Sequence, residues 1–282
     1  MITRFAPSPT GELHLGHALA AWIAYDEAQR HGGSMLLRFE DIDTTRVREE
    51  FYAAIEHDLR WLGISWQGTP WRQRDRGKVY DAALARLRDM GVIYPCFCTR
   101  KEIAMMAQAP QQGDGQEGLL YPGTCRHMPE REREQRMAQA GSWAWRLDAT
   151  RAAELCGALT WHDRARGQVD VDATLLGDVV IARKDIGVSY HLAVVVDDAA
   201  QEVSLVTRGA DLFASTHVHV LLQKMLDLPQ PQYWHHPLVC DEQGKRLAKR
   251  DQSMSLSHLR AQGLTPAQVK EKAKEAMRNM EF

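Results

Sequence analysis

Two histidines, His14 and His17, bracket a Leu-Gly pair in the stretch RFAPSPTGELHLGHA, just after a short apolar run. Imidazole N–H groups beside a helix start can donate to phosphate oxygens as negative charge builds up on them. Gly16 keeps that backbone clear for a flat ring to lie against it. A lone histidine at such a place merely caps or solvates a first turn; a pair around Leu-Gly points instead to a nucleotide phosphate. Arg4 offers a guanidinium fork suited to a carboxylate, and Ser8 adds a hydroxyl. Cys96 and Cys98 lie one residue apart and Cys125 follows in YPGTCRH, three thiols of the kind that hold tetrahedral zinc. With no open position implied, such a site is structural. A basic segment late in the chain, KRLAKRD, places Lys249 roughly 230 residues after the histidine pair.

These groups need elements to hold them. Met1 to Ala6 reads as a strand, and Leu15, Leu19, Trp22, Ile23 and Ala28 follow helical spacing up to Gly32-Gly33, a predicted C-cap. SMLLRFE reads as the next strand, VREEFYAAIEHDLRWLG as a helix, and a third helix runs from about Arg76 to Met90 before the extended VIYPCF. From about Cys96 to Ala182 the pattern degrades into the polar loop AQAPQQGDGQEG, the charged helix PEREREQRMAQAG and the strand WAWRL, which reads as an insertion. VSYHLAVVVDD and VSLVTRG read as strands, with Asp197 and Asp198 ending the first of them. The helix THVHVLLQKMLDL, the strand YWHHPLV and two closing helices complete the chain. Alternating strands and helices predict an α/β fold with a largely parallel sheet.

Composition is consistent with this. The 282 residues are 44% apolar and 26% charged, with a net charge of −2, ordinary for a soluble globular protein. No apolar run reaches membrane-spanning length and no secretory signal pattern opens the chain. Five cysteines without such a signal favour a reducing cytosol over a disulfide framework. A cytoplasmic location and no membrane partner follow as expectations.

APSPTGELHLGH resembles the HIGH motif of class I aminoacyl-tRNA synthetases in its glutamyl form, and Arg246 to Arg250 resemble the KMSKS motif, with Arg for the first lysine and Ala for the serine. The resemblance covers nearly the whole chain. It implies a Rossmann-type HUP nucleotide-binding fold, with an inserted zinc-containing α+β subdomain and a short C-terminal helical segment. The implied division is residues 1–95 and 185–252 for the two catalytic halves, 96–184 for the insertion and 253–282 for the helical segment. It further implies that His14, His17 and Lys249 stabilise the ATP phosphates, that Gly16 admits adenine, and that Mg²⁺ accompanies ATP. The implied glutamate site is Arg4, Ala6, Ser8, Glu40 for the α-amino group, Tyr190, and Arg208 for the side-chain carboxylate. By their types alone, Glu40, Asp41 and Asp43 serve equally well as caps for the next helix.

The fourth metal ligand has two candidates. Chemistry prefers the neutral imidazole of His127 over a phenolate, whose ordinary pKa is about 10. The resemblance to the glutamyl-queuosine branch of the family, with its Cys-x-Cys and Tyr-x-x-x-Cys pattern, prefers Tyr121. The chain ends at Phe282, soon after the KMSKS-like segment, where a full glutamyl enzyme continues into an anticodon-binding portion. That again implies the glutamyl-queuosine branch: a monomer that activates L-glutamate with ATP and transfers it to queuosine in the anticodon arm of tRNA(Asp). Two alternatives remain open at this stage, a catalytic fragment charging the 3′ end of tRNA(Glu) and a non-catalytic regulatory paralogue.

Overall fold

The computed structural model describes residues 1–99, 101–103, 120–184, 187–239 and 255–278. The predicted polar loop at 107–118 and the KRLAKRD segment with Lys249 lie outside the described residues, as does Cys240.

The chain opens with β1 (Ile2–Phe5), α1 (Leu15–Arg30) and β2 (Ser34–Phe39), a βαβ unit whose strands pair in parallel, Arg4 opposite Leu36. Small residues let α1 lie close on the strand: Ala18, Ala21, Ala24 and Ala28 are buried at helical spacing, and Thr3 Oγ1 donates to Ala24 O at 2.8 Å. The predicted C-cap is a Schellman turn, with Gly32 at φ +61°, Gly32 N–H donating to Gln29 O and Gly33 N–H to Ala28 O. Next come α2 (Glu49–Trp61), the short parallel strand β3 (Trp71–Arg72) beside β2, and α3 (Gly77–Asp89) after a 3₁₀ turn.

A second sheet holds β10 (Leu205–Gly209) and β11 (Gln232–His236), parallel and joined by α7 (Phe213–Met225). It meets β1 where Ser204 N–H donates to Ile2 O at 3.0 Å. Onto β11 adds the hairpin of β6 (Thr160–Asp163) and β7 (Gly167–Asp170), so two strands from the 96–184 stretch join the sheet that carries Arg208. The third sheet is antiparallel: β4 (Ile93–Cys96), β5 (Ala144–Leu147), β8 (Val180–Arg183) and β9 (Gly187–Val188). Around it lie α4 (Glu130–Gln139) and α5 (Ala149–Cys156). At the end of the chain α8 (Leu256–Ala261) and α9 (Pro266–Arg278) bury Leu256, Leu259, Val269 and Ala273 in the same core as α1 and β2.

One predicted strand is a helix. VSYHLAVVVDD enters as β9 but then forms α6 (Tyr190–Ala200), with Ser189 at its N-cap position. Leu192 through Asp198 are all buried, so the run is apolar on every side. Such a run lacks the periodicity that separates helix from strand, and the β-preference of three consecutive valines yields to burial. Asp197 and Asp198 consequently sit in the last turns of a helix and do not end a strand.

Candidate functional site

A cavity of about 470 Å³ opens at the carboxyl ends of β1, β2 and β10 and the start of α1. It gathers Arg4, Ala6, His14, Gly16, His17, Glu40, Tyr190 and Arg208 from segments far apart in the chain. Ser8 does not line it; Ser8 is half-buried in the PSPTG turn, where its carbonyl accepts Thr10 N–H. That turn is pinned from outside, since Glu40 N–H donates to Pro7 O and Arg48 N–H to Pro9 O, both at 3.1 Å.

The histidine pair both caps the helix and faces the cavity. His14 Nδ1 accepts Gly16 N–H, and His17 Nδ1 accepts the backbone N–H of His14, each at 3.1 Å. An accepting Nδ1 carries no proton, so in each neutral ring the proton sits on Nε2. Capping thus fixes both imidazoles as Nε2–H donors. The rings lie 3.8 Å apart between centroids. A Cβ on Gly16 would sit 3.1 Å from His14 Cε1, so the glycine makes room for the His14 ring.

Glu40 keeps its place beside Arg4 and Arg38, and the acidic residues near it do not cap α2. Asp41 accepts Tyr52 Oη–H at 2.6 Å and Arg74 N–H at 2.9 Å, while Asp43 accepts Thr45 N–H. The α2 N-cap, Arg48, makes no capping side-chain bond. Burial pushes the Glu40 carboxyl up to about 7, against the pull of Arg38 and Arg4.

The two cavity arginines are held differently. Arg4 donates from Nε to Asp198 Oδ1 at 3.2 Å and from Nη1 to Thr207 O at 3.0 Å. Asp198 also takes Arg38 Nη2 at 2.7 Å; burial raises its carboxyl, but the two arginines more than offset that and leave it below the usual carboxylate range. Arg208 instead donates to Tyr190 Oη, His219 Nδ1, His235 Nε2 and Thr216 Oγ1. Thr207 Oγ1 and His236 Nε2, on two residues of the cavity lining, are buried with no hydrogen-bond partner among the described residues. Arg38, in the strand SMLLRFE, and Thr216, His219 and His235 went unnoticed in sequence; the signal for the last three was the placing of histidines inside apolar segments, THVHV and YWHHP.

The described chain stops after Val239, a cavity-lining residue, and resumes at Ser255, which bridges to His14. Leu256 N–H donates to Leu13 O at 2.8 Å. Both attachment points are therefore at the start of α1.

The thiols form a separate centre between β4 and the segment after Leu120. The sulfurs of Cys96, Cys98 and Cys125 lie within 4.8 Å of one another. Cys98 Sγ is 3.6 Å from Cys125 Sγ and 3.5 Å from Tyr121 Oη, which also accepts Cys125 N–H. Zn–S bonds of about 2.3 Å at tetrahedral angles require S···S edges of about 3.8 Å, and a shorter Zn–O bond brings an S···O edge to about 3.5 Å. The donor set fits zinc. Burial pushes the Cys98 thiol up to about 12, whereas at Cys125 burial is outweighed by hydrogen bonds with Tyr121 and the backbone of Phe97, which hold the thiol below its ordinary value. His127 lies outside the thiol group and lines the neighbouring cavity. Arg146 stacks 4.0 Å from the Tyr121 ring centroid and donates to Asp178 O, tying the centre to the antiparallel sheet.

Among the described residues no helix is long and apolar enough to cross a membrane. Residues 1–273 match the family model of class I tRNA synthetases (E and Q), catalytic domain. A glutamyl-Q tRNA(Asp) synthetase of Rhodobacter capsulatus is 48% identical over 276 residues, covering 96% of this chain and 98% of that protein. One of Nocardia farcinica is 44% identical, covering 94% and 81%. Among solved structures, a glutamate-tRNA synthetase from Elizabethkingia anophelis superposes with a TM-score of 0.75 at 28% identity, covering 89% of this chain and 53% of its own. The present chain thus spans about half the length of that enzyme. The cavity and the sequence agree: the chain belongs to the class I tRNA synthetases of the E and Q type, alongside the glutamyl-Q tRNA(Asp) synthetases.

Proposed function

We propose that this chain activates L-glutamate with ATP and transfers the glutamyl group to queuosine in the anticodon arm of tRNA(Asp). The observation that carries the reading is one cavity holding two arginines, a half-buried carboxyl and two helix-capping imidazoles. The names of its relatives add tRNA(Asp) and the modified base.

Glutamate brings two carboxylates and one ammonium. Arg208 takes the side-chain carboxylate, Arg4 the other, and Glu40 with Tyr190 holds the ammonium end, next to Ala6. An oxygen of the α-carboxylate attacks the α-phosphorus of ATP; a P–O bond forms, the bond to the β-phosphate side breaks, and pyrophosphate leaves. The Nε2–H groups of His14 and His17 donate to phosphate oxygens during this step. Lys249 adds its charge from a segment whose two ends are fastened at the same helix start, and Mg²⁺ accompanies the nucleotide. A hydroxyl of the queuosine cyclopentenediol then attacks the acyl carbon, an ester C–O bond forms, the acyl–phosphate bond breaks, and the hydroxyl proton passes to the phosphate of the departing AMP or to water. Cys96, Cys98, Cys125 and Tyr121 would hold one structural zinc, which when bound cross-links the segments that carry them. The enzyme acts as a monomer in the cytoplasm, where ATP and tRNA meet.

The test offers labelled glutamate, ATP and tRNA(Asp) lacking its terminal adenosine, with or without queuosine. Label attaches only to the queuosine-bearing RNA. Label that requires an intact 3′ end of tRNA(Glu) overturns the reading.

A further inference from the structure

We propose that Asp163, acting through His235, is a positioning residue that fixes the place of the Arg208 guanidinium with no carboxylate of the protein in contact, and so sets the preference for glutamate over its neutral amide, glutamine. The inference rests on the functional reading above.

The chemistry of the donors fixes the arrangement. A guanidinium donates and never accepts. His235 Nε2 lies 3.0 Å from Arg208 Nε and must present a lone pair, which puts the ring's proton on Nδ1. Nδ1 faces Asp163 Oδ2 at 2.7 Å, an acceptor for that proton. The same oxygen takes the backbone N–H of His235 at 3.1 Å, while Asp163 Oδ1 takes the N–H groups of Ala165 and Arg166 in the β6–β7 turn. On the other side His219 Nδ1 accepts from Arg208 Nη1 at 3.0 Å, leaving its proton on Nε2, 3.1 Å from His191 Nδ1. Burial and the Arg208 charge push His235 down to about 3 and His219 well below its ordinary value, so both rings are neutral.

Every group touching Arg208 among the described residues is therefore neutral, and the negative charge assigned to it stands one imidazole away. Arg208 is 5% exposed. A buried cation without a contacting anion gains most from an incoming carboxylate and little from an amide. Arg4 makes the contrast, because Asp198 is already in contact with it. Asp163 is fully buried, and nothing in the glutamate-binding roles requires a carboxylate there.

Asp163→Asn tests the relay. The amide keeps the shape but has one acceptor oxygen for the four N–H groups that the carboxylate takes. With its NH2 toward Nδ1 it drives the His235 proton onto Nε2, against Arg208; with its oxygen there it turns the NH2 against the N–H groups of Ala165 and Arg166. In either orientation the anionic end of the relay is gone. In ATP–pyrophosphate exchange we expect the KM for glutamate to rise at least tenfold, the KM for ATP to stay within twofold, and the glutamate-to-glutamine ratio of kcat/KM to fall at least tenfold. Asp163→Asn/His235→Gln, whose amide oxygen can face Arg208, recovers part of the loss. Nitrogen NMR of the unaltered protein keeps the question open to refutation even if the variant fails to fold: the His235 ring carries its proton on Nδ1, and a proton on Nε2 overturns the relay. An unchanged glutamate KM and ratio in folded Asp163→Asn also overturns it. Absence of glutamate-dependent exchange in the unaltered protein overturns the functional reading itself, and this inference with it.

Discussion

Two arginines reach the cavity, and the protein treats their charges differently. Arg4 shares Asp198 with Arg38, so its place is set by an ion-pair network that exists before any substrate arrives. Glu40 sits against the same network, and its carboxyl, raised by burial to about 7, titrates in the working range. Pairing with the substrate ammonium requires the carboxylate, and protonation removes the partner. The KM for glutamate in pyrophosphate exchange is therefore expected to rise as pH falls from 8 to 6, approaching tenfold per unit below about 7. Glu40→Gln raises it above about pH 7, converges with the unaltered protein at lower pH and so flattens the profile; a profile that slopes equally in Glu40→Gln assigns the titration elsewhere. Much of this site was legible in the sequence because its members sit in short runs with distinctive residue types, RFAPSPTG, HLGH and RFED. The supporting shell was not. Asp163, Thr216, His219 and His235 look like ordinary polar interruptions until the fold brings β6, α7 and β11 around Arg208.

At the scale of elements, the first βαβ unit follows its sequence closely. The alanine face of α1 permits close packing, and the paired glycines end the helix in a defined turn. The second of them has a tertiary duty that the C-cap reading alone does not reveal: a Cβ on Gly33 would lie 1.8 Å from Met1 O, where β1 begins beside β2. Gly33→Ala is expected to lower the melting temperature by roughly 10 °C, as a backbone clash of this kind costs several kcal/mol. Gly11→Ala, where nothing lies within 4 Å, serves as the control and leaves it nearly unchanged. α6 was misread for a physical reason. Its burial on all sides erases the alternation on which the distinction depends, and its valines favour strand when considered alone. What makes the helix useful is its last turns, where Asp197 takes Arg76, Gln73 and Tyr80, and Asp198 takes Arg4 and Arg38. Acidic groups at a helix C-terminus oppose the helix dipole, and here the arginines offset that cost.

For the whole molecule, the thiol centre and the catalytic cavity occupy different sheets, which separates what metal loss should do from what active-site change should do. Cys98→Ser is expected to reduce bound zinc to less than about a tenth of the unaltered level and to lower the melting temperature. The KM values for ATP and glutamate of the fraction that remains folded stay within about threefold. Zinc content from elemental analysis beside a melting curve checks this, and full zinc content in Cys98→Ser would falsify the ligand assignment. β6 and β7 come from the same stretch of chain as the thiols, yet they complete the sheet beside β11 and deliver Asp163 behind Arg208. That stretch is consequently not a detachable module. Excising residues 96–184 and closing the gap would remove two strands and the anionic end of the relay together, so a minimal catalytic scaffold must retain the β6–β7 hairpin even if it discards the thiols. A chimera that exchanges the thiol-bearing segment alone can keep amino-acid selectivity, whereas one that exchanges the hairpin with it takes selectivity from the donor.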